Sequence, residues 1–399
     1  MKNRELRVCQ FCVMDESDPH IVFFDDGSCS HCRHAARYAS HSSSSRYPLD
    51  QVVHLIREIA STSAKSTYDC IVGLSGGVDS SWLLHLLANA GLNIYVHHVD
   101  TGWNTPKAVS NIYRICDKLS LKLHSHVLDW NLFRKIQQAY FYLGVINQDV
   151  PQDIGIFSSQ INACKQNAIT CLASGANNTT ESILPAAWGH HWHDITNLHS
   201  IYTSFWNQDL HGFPFAEYSD IAAYRLSHTP RLNIRTVNVL DLISYSKSEA
   251  LDTLKEIYNY EEYPHKHGES SWTLYYQSIY LPSVYGVDKR RAHLSNLIVN
   301  RDISREMALD KLSQPTLDHA TRMELANFVS LKLGIPLKHA LDPVSYVLSC
   351  RHNAFSATKE VIDFYTSRYY QANHDQRDTI FLDYLRAYQR CSSQAEHLR

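Results

Sequence analysis

The sequence has no surplus of positive charge. Against 40 Asp and Glu stand 37 Lys and Arg, a net charge of -3, whereas a chain that grips duplex or tRNA phosphates carries a basic face. The longest basic block is the three residues Lys289–Arg291. A small-molecule substrate and no nucleic acid are therefore expected. Long apolar runs are also missing: each apolar stretch is interrupted by His, Asn or Gly well short of a membrane span, and "MKNRELRVCQ" at the start holds no apolar core of an export signal. No membrane span and a cytoplasmic location are expected. No internal repeat is present. Ten cysteines in 399 residues do not make a disulfide scaffold in a chain of this length, so free thiols or metal ligands are expected instead.

The pattern along the chain predicts three parts. Residues 1–45 hold Cys9, Cys12, Cys29 and Cys32 and end in a polar linker, "SHSSSSRYP" (Ser40–Pro48). Residues 46–247 open with a helix capped by Asp50 and carrying Val52, Leu55, Ile56 and Ile59 at helical spacing. The apolar runs "DCIVGL", "LNIYVHHVD", "LKLHSHVLD" and "AITCLASG" then alternate with segments long enough to be crossover helices. This predicts an α/β fold, a doubly wound parallel sheet of order 3-2-1-4-5. Residues 248–399 lose the strand signal and read as a helical domain, with Leu325, Phe328, Val329 and Leu333 at helical spacing and Gly334 as the stop.

Between the first strand and its helix lies "SGGVDSS" (Ser75–Ser81). Gly76 and Gly77 let the backbone turn sharply and approach a ligand, while a helix starting near Ser80 aims unpaired N–H groups and a positive dipole end at it. That geometry selects an anion. Ser75 and Ser80 add hydroxyl donors. Asp79 repels a bare phosphate, so a bridging Mg²⁺ is the natural reason for its carboxylate. No lysine stands where a GxxxxGK[ST] loop has one, which argues against γ-phosphoryl transfer. The loop resembles the PP-loop of the ATP pyrophosphatase superfamily, whose members release pyrophosphate and attach AMP to a substrate oxygen. The resemblance implies ATP contacts along Leu74, Ser75, Gly76, Gly77, Val78, Asp79 and Ser80.

In a sheet of this order the ends of strands one and four flank the switch point where ligands bind, so "ASGANNTTES" (Ala173–Ser182) faces that loop. Ser174 and Gly175 fall beside the nucleotide. Glu181 is placed to share Mg²⁺ with Asp79, and Asn177 and Asn178 offer neutral donors and acceptors. The segment is similar to the GTxNxSE stretch of ammonia-using NAD synthetases, with Asp194 matching a later metal-site aspartate. By the same rule "HHVDTGWN" brings Asp100, Trp103 and Asn104 toward the adenosine or acceptor pocket. An ordinary core place for Trp103 is the alternative.

Cys9, Cys12, Cys29 and Cys32 form C-x₂-C, sixteen residues, C-x₂-C, the spacing of a four-thiolate structural Zn²⁺ site, with an iron–sulfur cluster or unliganded thiols as alternatives. A head of about 40 residues has too little core to fold unaided, so a metal would supply most of its folding free energy. Cys164 and Cys171 bear on a rival reading, a zinc-headed tRNA thiolase. They are not paired as C-x-x-C, and Cys171 falls in a buried strand where a small apolar filler is the usual role. "GVDKRRAHLS" gathers Lys289, Arg290, Arg291 and His293, a set suited to a diphosphate or carboxylate or, alternatively, to a solvated basic turn. His190, His191 and His193 in "WGHHWHD" allow a metal reading, one cluster among 24 histidines.

The run Lys266–Leu312, with "CQFCVMDESDPHIVFFDDGSCSHC", "SGGVDSS", "VDTGWN" and "SGANNTTESILPAAW", resembles the N-acetyl sugar amidotransferase family of surface-polysaccharide biosynthesis from Cys9 to about Pro315. The resemblance implies conversion of an acetamido group on a nucleotide-activated sugar into an acetamidino group, with ATP and Mg²⁺, a structural zinc, and ammonia from partner subunits similar to the glutaminase and cyclase halves of imidazole glycerol phosphate synthase. Trp82 and "GHHWH" depart from that pattern. The alternatives are the thiolase, an ammonia-dependent ligase amidating a carboxylate, and a zinc-bearing scaffold on a relic nucleotide fold.

Overall fold

The computed structural model of the chain describes residues 6–44, 46–177, 181–189, 195–211 and 233–350. The four predicted apolar runs become β1 (Cys70–Gly73), β2 (Ile94–Asp100), β3 (Leu123–Val127) and β4 (Cys171–Ser174), and β5 (Arg235–Asn238) completes the sheet. All neighbours are parallel, in the order β3-β2-β1-β4-β5, as the alternation predicts. β1 is central: Ile71 pairs with Tyr95 on one side and Leu172 on the other. Its residues Cys70, Ile71 and Val72 are buried, the continuous apolar run of a strand covered on both faces.

The covering helices are α1 (Ser30–Ser44), α2 (Leu49–Ala60), α3 (Val78–Asn89), α4 (Pro106–Lys118), α5 (Trp130–Tyr142), α6 (Val150–Gln166) and α7 (Ile195–Trp206). Ile56 and Ile59 of α2 join Leu83, Leu84 and Leu87 of α3 on one face of the sheet, while Phe133 and Ile136 of α5 and Ile154 and Ile161 of α6 fill the core of the other. Two local expectations are corrected. α1 runs on to Ser44, into the stretch expected to be a linker. Asp50 lies in the first turn of α2, after Pro48, and makes no capping hydrogen bond, so its stabilisation there comes through the helix dipole.

Beyond β5 every element among the described residues is helical. α8 (Lys247–Tyr258) packs on α3 and α4 and adds Ala250, Leu254 and Tyr258 to their apolar layer. A helical stretch over 271–285 contains a π-turn, Tyr276–Tyr280, and is followed by α9 (Arg290–Val299), α10 (Arg305–Ser313) and α11 (His319–Leu333). Gly334 at φ +71° ends α11, as expected of a left-handed cap.

Candidate active site

The turn after β1 is fixed from both sides. Gly76 has φ +84°, and a Cβ there would come within 2.7 Å of the Ala108 carbonyl oxygen at the start of α4. Tyr260 and Tyr263 donate their hydroxyls to the Gly76 carbonyl at 2.8 and 2.9 Å. Gly77 then stands extended at the N-cap of α3 and offers no side-chain cap, so first-turn N–H groups are left for an anion. The Ser75 and Ser80 hydroxyls lie 3.0 Å apart, and Gly77 N–H donates to Ser75 Oγ at 3.2 Å. The loop after β4 meets this cradle directly: a Cβ on Gly175 would be 3.2 Å from the Asp79 carbonyl and the Ser80 nitrogen.

A cavity of about 580 Å³ opens over Ser75, Gly77, Val78, Asp79 and Ser80, and Glu181 also lines it. Asp79 accepts the Tyr245 hydroxyl, with Lys247 Nζ 3.8 Å away. Lys266 Nζ lies 3.5 Å from Glu181 Oε1. Burial pushes the Glu181 carboxyl up, but Lys266, His267 and Lys247 outweigh it and hold it below its ordinary value. Glu269 behaves alike, with His267 and Lys247 overcoming burial. Both acids are therefore ionised at neutral pH, beside cations suited to phosphates. Burial, reinforced by Lys266 and Lys247, pushes His293 down to about 3, so its imidazole is neutral.

A second cavity, of about 600 Å³, shares Ser75, Glu181, Lys266, His267, Glu269 and Lys289 with the first. It extends past His97, His98 and Asn104 to Asp149 and Asp153, with Trp188 among its apolar lining. Asp149 Oδ1 accepts from Gln152 Nε2 at 2.8 Å and Thr273 Oγ1 at 3.2 Å. Burial pushes both carboxyls up, and Asp149 raises Asp153 further, while Lys289 opposes the shift. The Lys289 ammonium is in turn pushed down by burial. One cation thus stands with two acids in the wall of this cavity.

The structure divides the residues expected at the site. Leu74, Ser75, Asn104, Glu181, Lys289 and His293 line the second cavity, and Lys289, Arg290 and His293 border the first. Asn177 is buried and folds back, Nδ2 donating to the Gly175 carbonyl at 3.4 Å. Asp100 accepts from Gly102 N–H and Asn104 Nδ2, which shapes the turn that presents Asn104. Trp103 is corrected: it is 0% exposed, tilted against Trp272 at 5.2 Å and edge-on to Trp130, and lines neither cavity. Arg291 is corrected as well. Its guanidinium is spent on Asp15 and the Val13 carbonyl, both at 2.8 Å. Arg290 forks onto Asp288 and reaches the carbonyls of Lys311 and Gln314. Asn178, His190, His191, His193 and Asp194 lie outside the described residues. The sequence reading passed over Lys247, Lys266, His267, Glu269, Asp149 and Asp153. A signal was present for the last two, since Asp149 at the N-cap of α6 and Asp153 four residues on share a helix face.

In the head, the four cysteine sulfurs lie within 4.8 Å of one another, all buried, and none is in a disulfide. Cys9 and Cys32 sulfurs are 3.9 Å apart, and Cys12 and Cys29 sulfurs 3.6 Å. A tetrahedron with Zn–S bonds of about 2.3 Å has edges of about 3.8 Å, so the donors fit zinc. Backbone N–H groups of Phe11 and Cys12 reach Cys9 Sγ, both at 3.4 Å, as in a closed knuckle. Cys164 and Cys171 are 0% exposed, and burial pushes each thiol up to about 12. Neither lines a cavity described above, which removes the thiolate a sulfur-transfer step needs.

Residues 69–141 match the phosphoadenosine phosphosulfate reductase domain family. Residues 269–370 match the family described as LPS biosynthesis protein WbpG-like, C-terminal domain, a match that runs past Pro315, where the sequence reading stopped. One solved structure it resembles is that of NMN synthetase from Francisella tularensis, 13% identical, with 53% of this chain and 94% of that chain covered and a TM-score of 0.28. No curated protein matches the chain. The fold and the cradle define a nucleotide-utilising PP-loop protein. The two matches on one chain support a family of PP-loop amidotransferase type, the second through its likeness to a WbpG-like C-terminal domain of LPS biosynthesis.

Two expectations follow. Gly76→Ala costs about 1–3 kcal/mol, because a side chain at this positive φ collides with a backbone oxygen, and thermal unfolding read beside ATP binding shows both falling. Asp153 is an acid whose folded pKa is raised, so the fold loses stability as pH rises from its unfolded value toward the folded one. Asp153→Asn therefore raises Tm by a few degrees at neutral pH, with the gain fading toward pH 4. A Tm lowered at every pH would make the carboxylate a structural anchor.

Proposed function

We propose that the protein is an AMP- and pyrophosphate-forming amidotransferase that converts the acetamido group of a nucleotide-activated sugar into an acetamidino group, using ammonia delivered by a partner glutaminase with a cyclase-like subunit. The observation that carries the reading is the pair of adjoining cavities, one over an anion cradle and one lined with neutral and charged polar groups, meeting at Ser75, Glu181, Lys266 and Lys289. Two substrates can therefore meet at one line of contact. The lipopolysaccharide-biosynthesis match and the absence of a membrane-length apolar helix among the described residues support a cytoplasmic sugar nucleotide as acceptor.

An amide carbonyl is a poor electrophile. Attack of its oxygen on the α-phosphorus of ATP expels pyrophosphate and leaves an O-adenylylated imidate. Ammonia adds to the imidate carbon, AMP departs with the former carbonyl oxygen, and the amidine remains, so the product has gained ammonia and lost water. The open N–H groups of α3 and the Ser75 and Ser80 hydroxyls hold the polyphosphate, and Lys247 and Lys266 neutralise charge on the departing pyrophosphate. Asp79 and Glu181 are the residues that would hold Mg²⁺, which supplies further charge neutralisation there. Asn104 and neutral His293 are positioned to hydrogen-bond the acceptor. Cys9, Cys12, Cys29 and Cys32 are the residues that would hold a structural zinc.

Incubation with ATP, Mg²⁺, ammonium and a panel of acetamido sugar nucleotides, read by high-resolution mass, tests this. The expected result is AMP with a product that has gained ammonia and lost water; ADP, or a product amidated at a carboxylate, overturns it. Asp79→Asn lowers kcat/KM roughly 10²–10³-fold. The Cys164→Ser, Cys171→Ser double variant retains turnover, an outcome a thiolase could not give. Ammonium supports the reaction of the isolated chain, and glutamine does so only with the partner added.

A further inference from the structure

The cysteine head does not stand apart from the second cavity. Arg305, the first residue of α10, donates from Nε to the Cys12 carbonyl at 3.0 Å and from Nη2 to the Cys9 carbonyl at 2.8 Å. Arg291 on α9 takes the next carbonyl, Val13, and the buried Asp15 carboxylate. Val13 N–H in turn donates to Ser295 Oγ at 3.2 Å, one helical turn beyond Arg291. Ser17 offers its carbonyl to Trp188 Nε1 at 3.1 Å. Residues 9–17 thus engage three separate segments, through backbone groups of Cys9, Cys12, Val13 and Ser17 and the Asp15 carboxylate.

Two of those segments, α9 and the one that carries Trp188, form part of the wall of the second cavity. Arg291 and Ser295 face the head, while Ala292, His293 and Asn296 of the same helix line the cavity, as does Trp188. Asn296 Oδ1 accepts from Ser182 Oγ at 2.6 Å, which ties α9 to the residue beside Glu181. A continuous chain of contacts therefore runs from Cys12 through Val13, Ser295 and Asn296 to Ser182. The knuckle carbonyls point at the two arginines only while the turn is closed on Cys9 Sγ, the arrangement the N–H···S contacts of Phe11 and Cys12 describe.

We propose that the head positions the acceptor wall, with Arg291 and Ser295 as positioning residues, so that metal occupancy of the four thiols sets how tightly the acceptor is held and bears less on ATP. The assignment of acceptor to this cavity rests on the functional reading above. α9 also borders the first cavity through Lys289, Arg290 and His293, but the cradle loop Ser75–Ser80 makes no hydrogen bond to the head among the described residues, so the effect on ATP is the smaller of the two.

Hydrogen exchange of the full zinc-loaded chain, with and without chelator, reads the coupling directly. Metal loss is expected to deprotect residues 290–299 and 182–188 together with the head; deprotection confined to the head overturns the proposal. If the chelated chain unfolds, zinc-loaded Ser295→Ala takes its place in the same exchange map. In calorimetry with UDP-N-acetylglucosamine as probe, Ser295→Ala is expected to raise the probe Kd roughly 3–10-fold with a smaller change in ATP Kd and zinc content unchanged, and Arg291→Lys, which keeps the Asp15 pair, to fall between it and wild type. Equal loss for ATP and probe, or none, overturns it. If the wild type binds no acetamido sugar nucleotide, the functional reading falls, and the exchange map alone decides this one.

Discussion

The approach of Gly175 to the first turn of α3, where a Cβ would sit 3.2 Å from the Asp79 carbonyl and the Ser80 nitrogen, is the contact on which the site depends. Two parallel strands side by side send their following loops to the same edge of the sheet. A residue without Cβ lets the second loop lie directly on the first turn of the helix that follows the first strand without pushing it aside. The consequence reaches Glu181, six residues on, which lines the same cavity as Asp79 although the two are separated by more than half of the sheet's chain length. Tyr260 and Tyr263 complete the constraint from the third part of the chain by taking the Gly76 carbonyl, so cradle, partner loop and C-terminal segment lock one another.

The charges arranged around that contact favour binding over stability. Lys247 and Lys266 each sit beside a carboxylate at more than 3.4 Å, too long for a tight pair. Asp149, Asp153 and Lys289 are crowded into a low-dielectric wall with one positive charge against two negative ones. An ordinary core would replace such a group with apolar side chains at little cost. The π-turn at Tyr276–Tyr280 adds the same signature, since a wide turn inside a helix interrupts its regular ladder, and its own Gln277 lies on the boundary of both cavities. Local departures from the most stable arrangement therefore collect where two substrates would meet.

The sheet, its order and the cradle were legible in the sequence because each rests on local pattern. Cys70–Val72 is a buried apolar run, Gly76 and Gly77 follow it, and an amphipathic helix comes next. The opposing charges were not legible: Lys266, His267 and Glu269 open the run that carries the family resemblance, yet neither that run nor the segment of Lys247 has a local pattern that says what these charges face, and they become neighbours only through packing. Trp103 shows the converse error. The switch-point rule places its strand end at the site correctly, yet the rule says nothing about which way one side chain turns, and an indole gains more from Trp130 and Trp272 than from a polar cavity. Arg290 and Arg291 illustrate a third limit: a run of cations reads as one patch, but successive helical residues point in different directions, and here only Lys289 and His293 of the group reach the second cavity.

That divergence explains how a head of about 40 residues is joined to the rest of the molecule by more than packing. Arg291 cannot both hold Asp15 and reach a ligand, and the buried Asp15 would be left as an uncompensated charge if it did. Its electrostatic role is thereby fixed as internal, and the same is true of Arg305, whose guanidinium is committed to two knuckle carbonyls. The head thus adds Met14 and Ala35 to the core and, beyond that packing, supplies acceptors at positions set by the sulfur cluster. A helix held on one face by such directional bonds keeps its opposite face, with Ala292, His293 and Asn296, in one register. The geometry of four sulfurs and that of the cavity wall are in this way parts of one hydrogen-bonded frame.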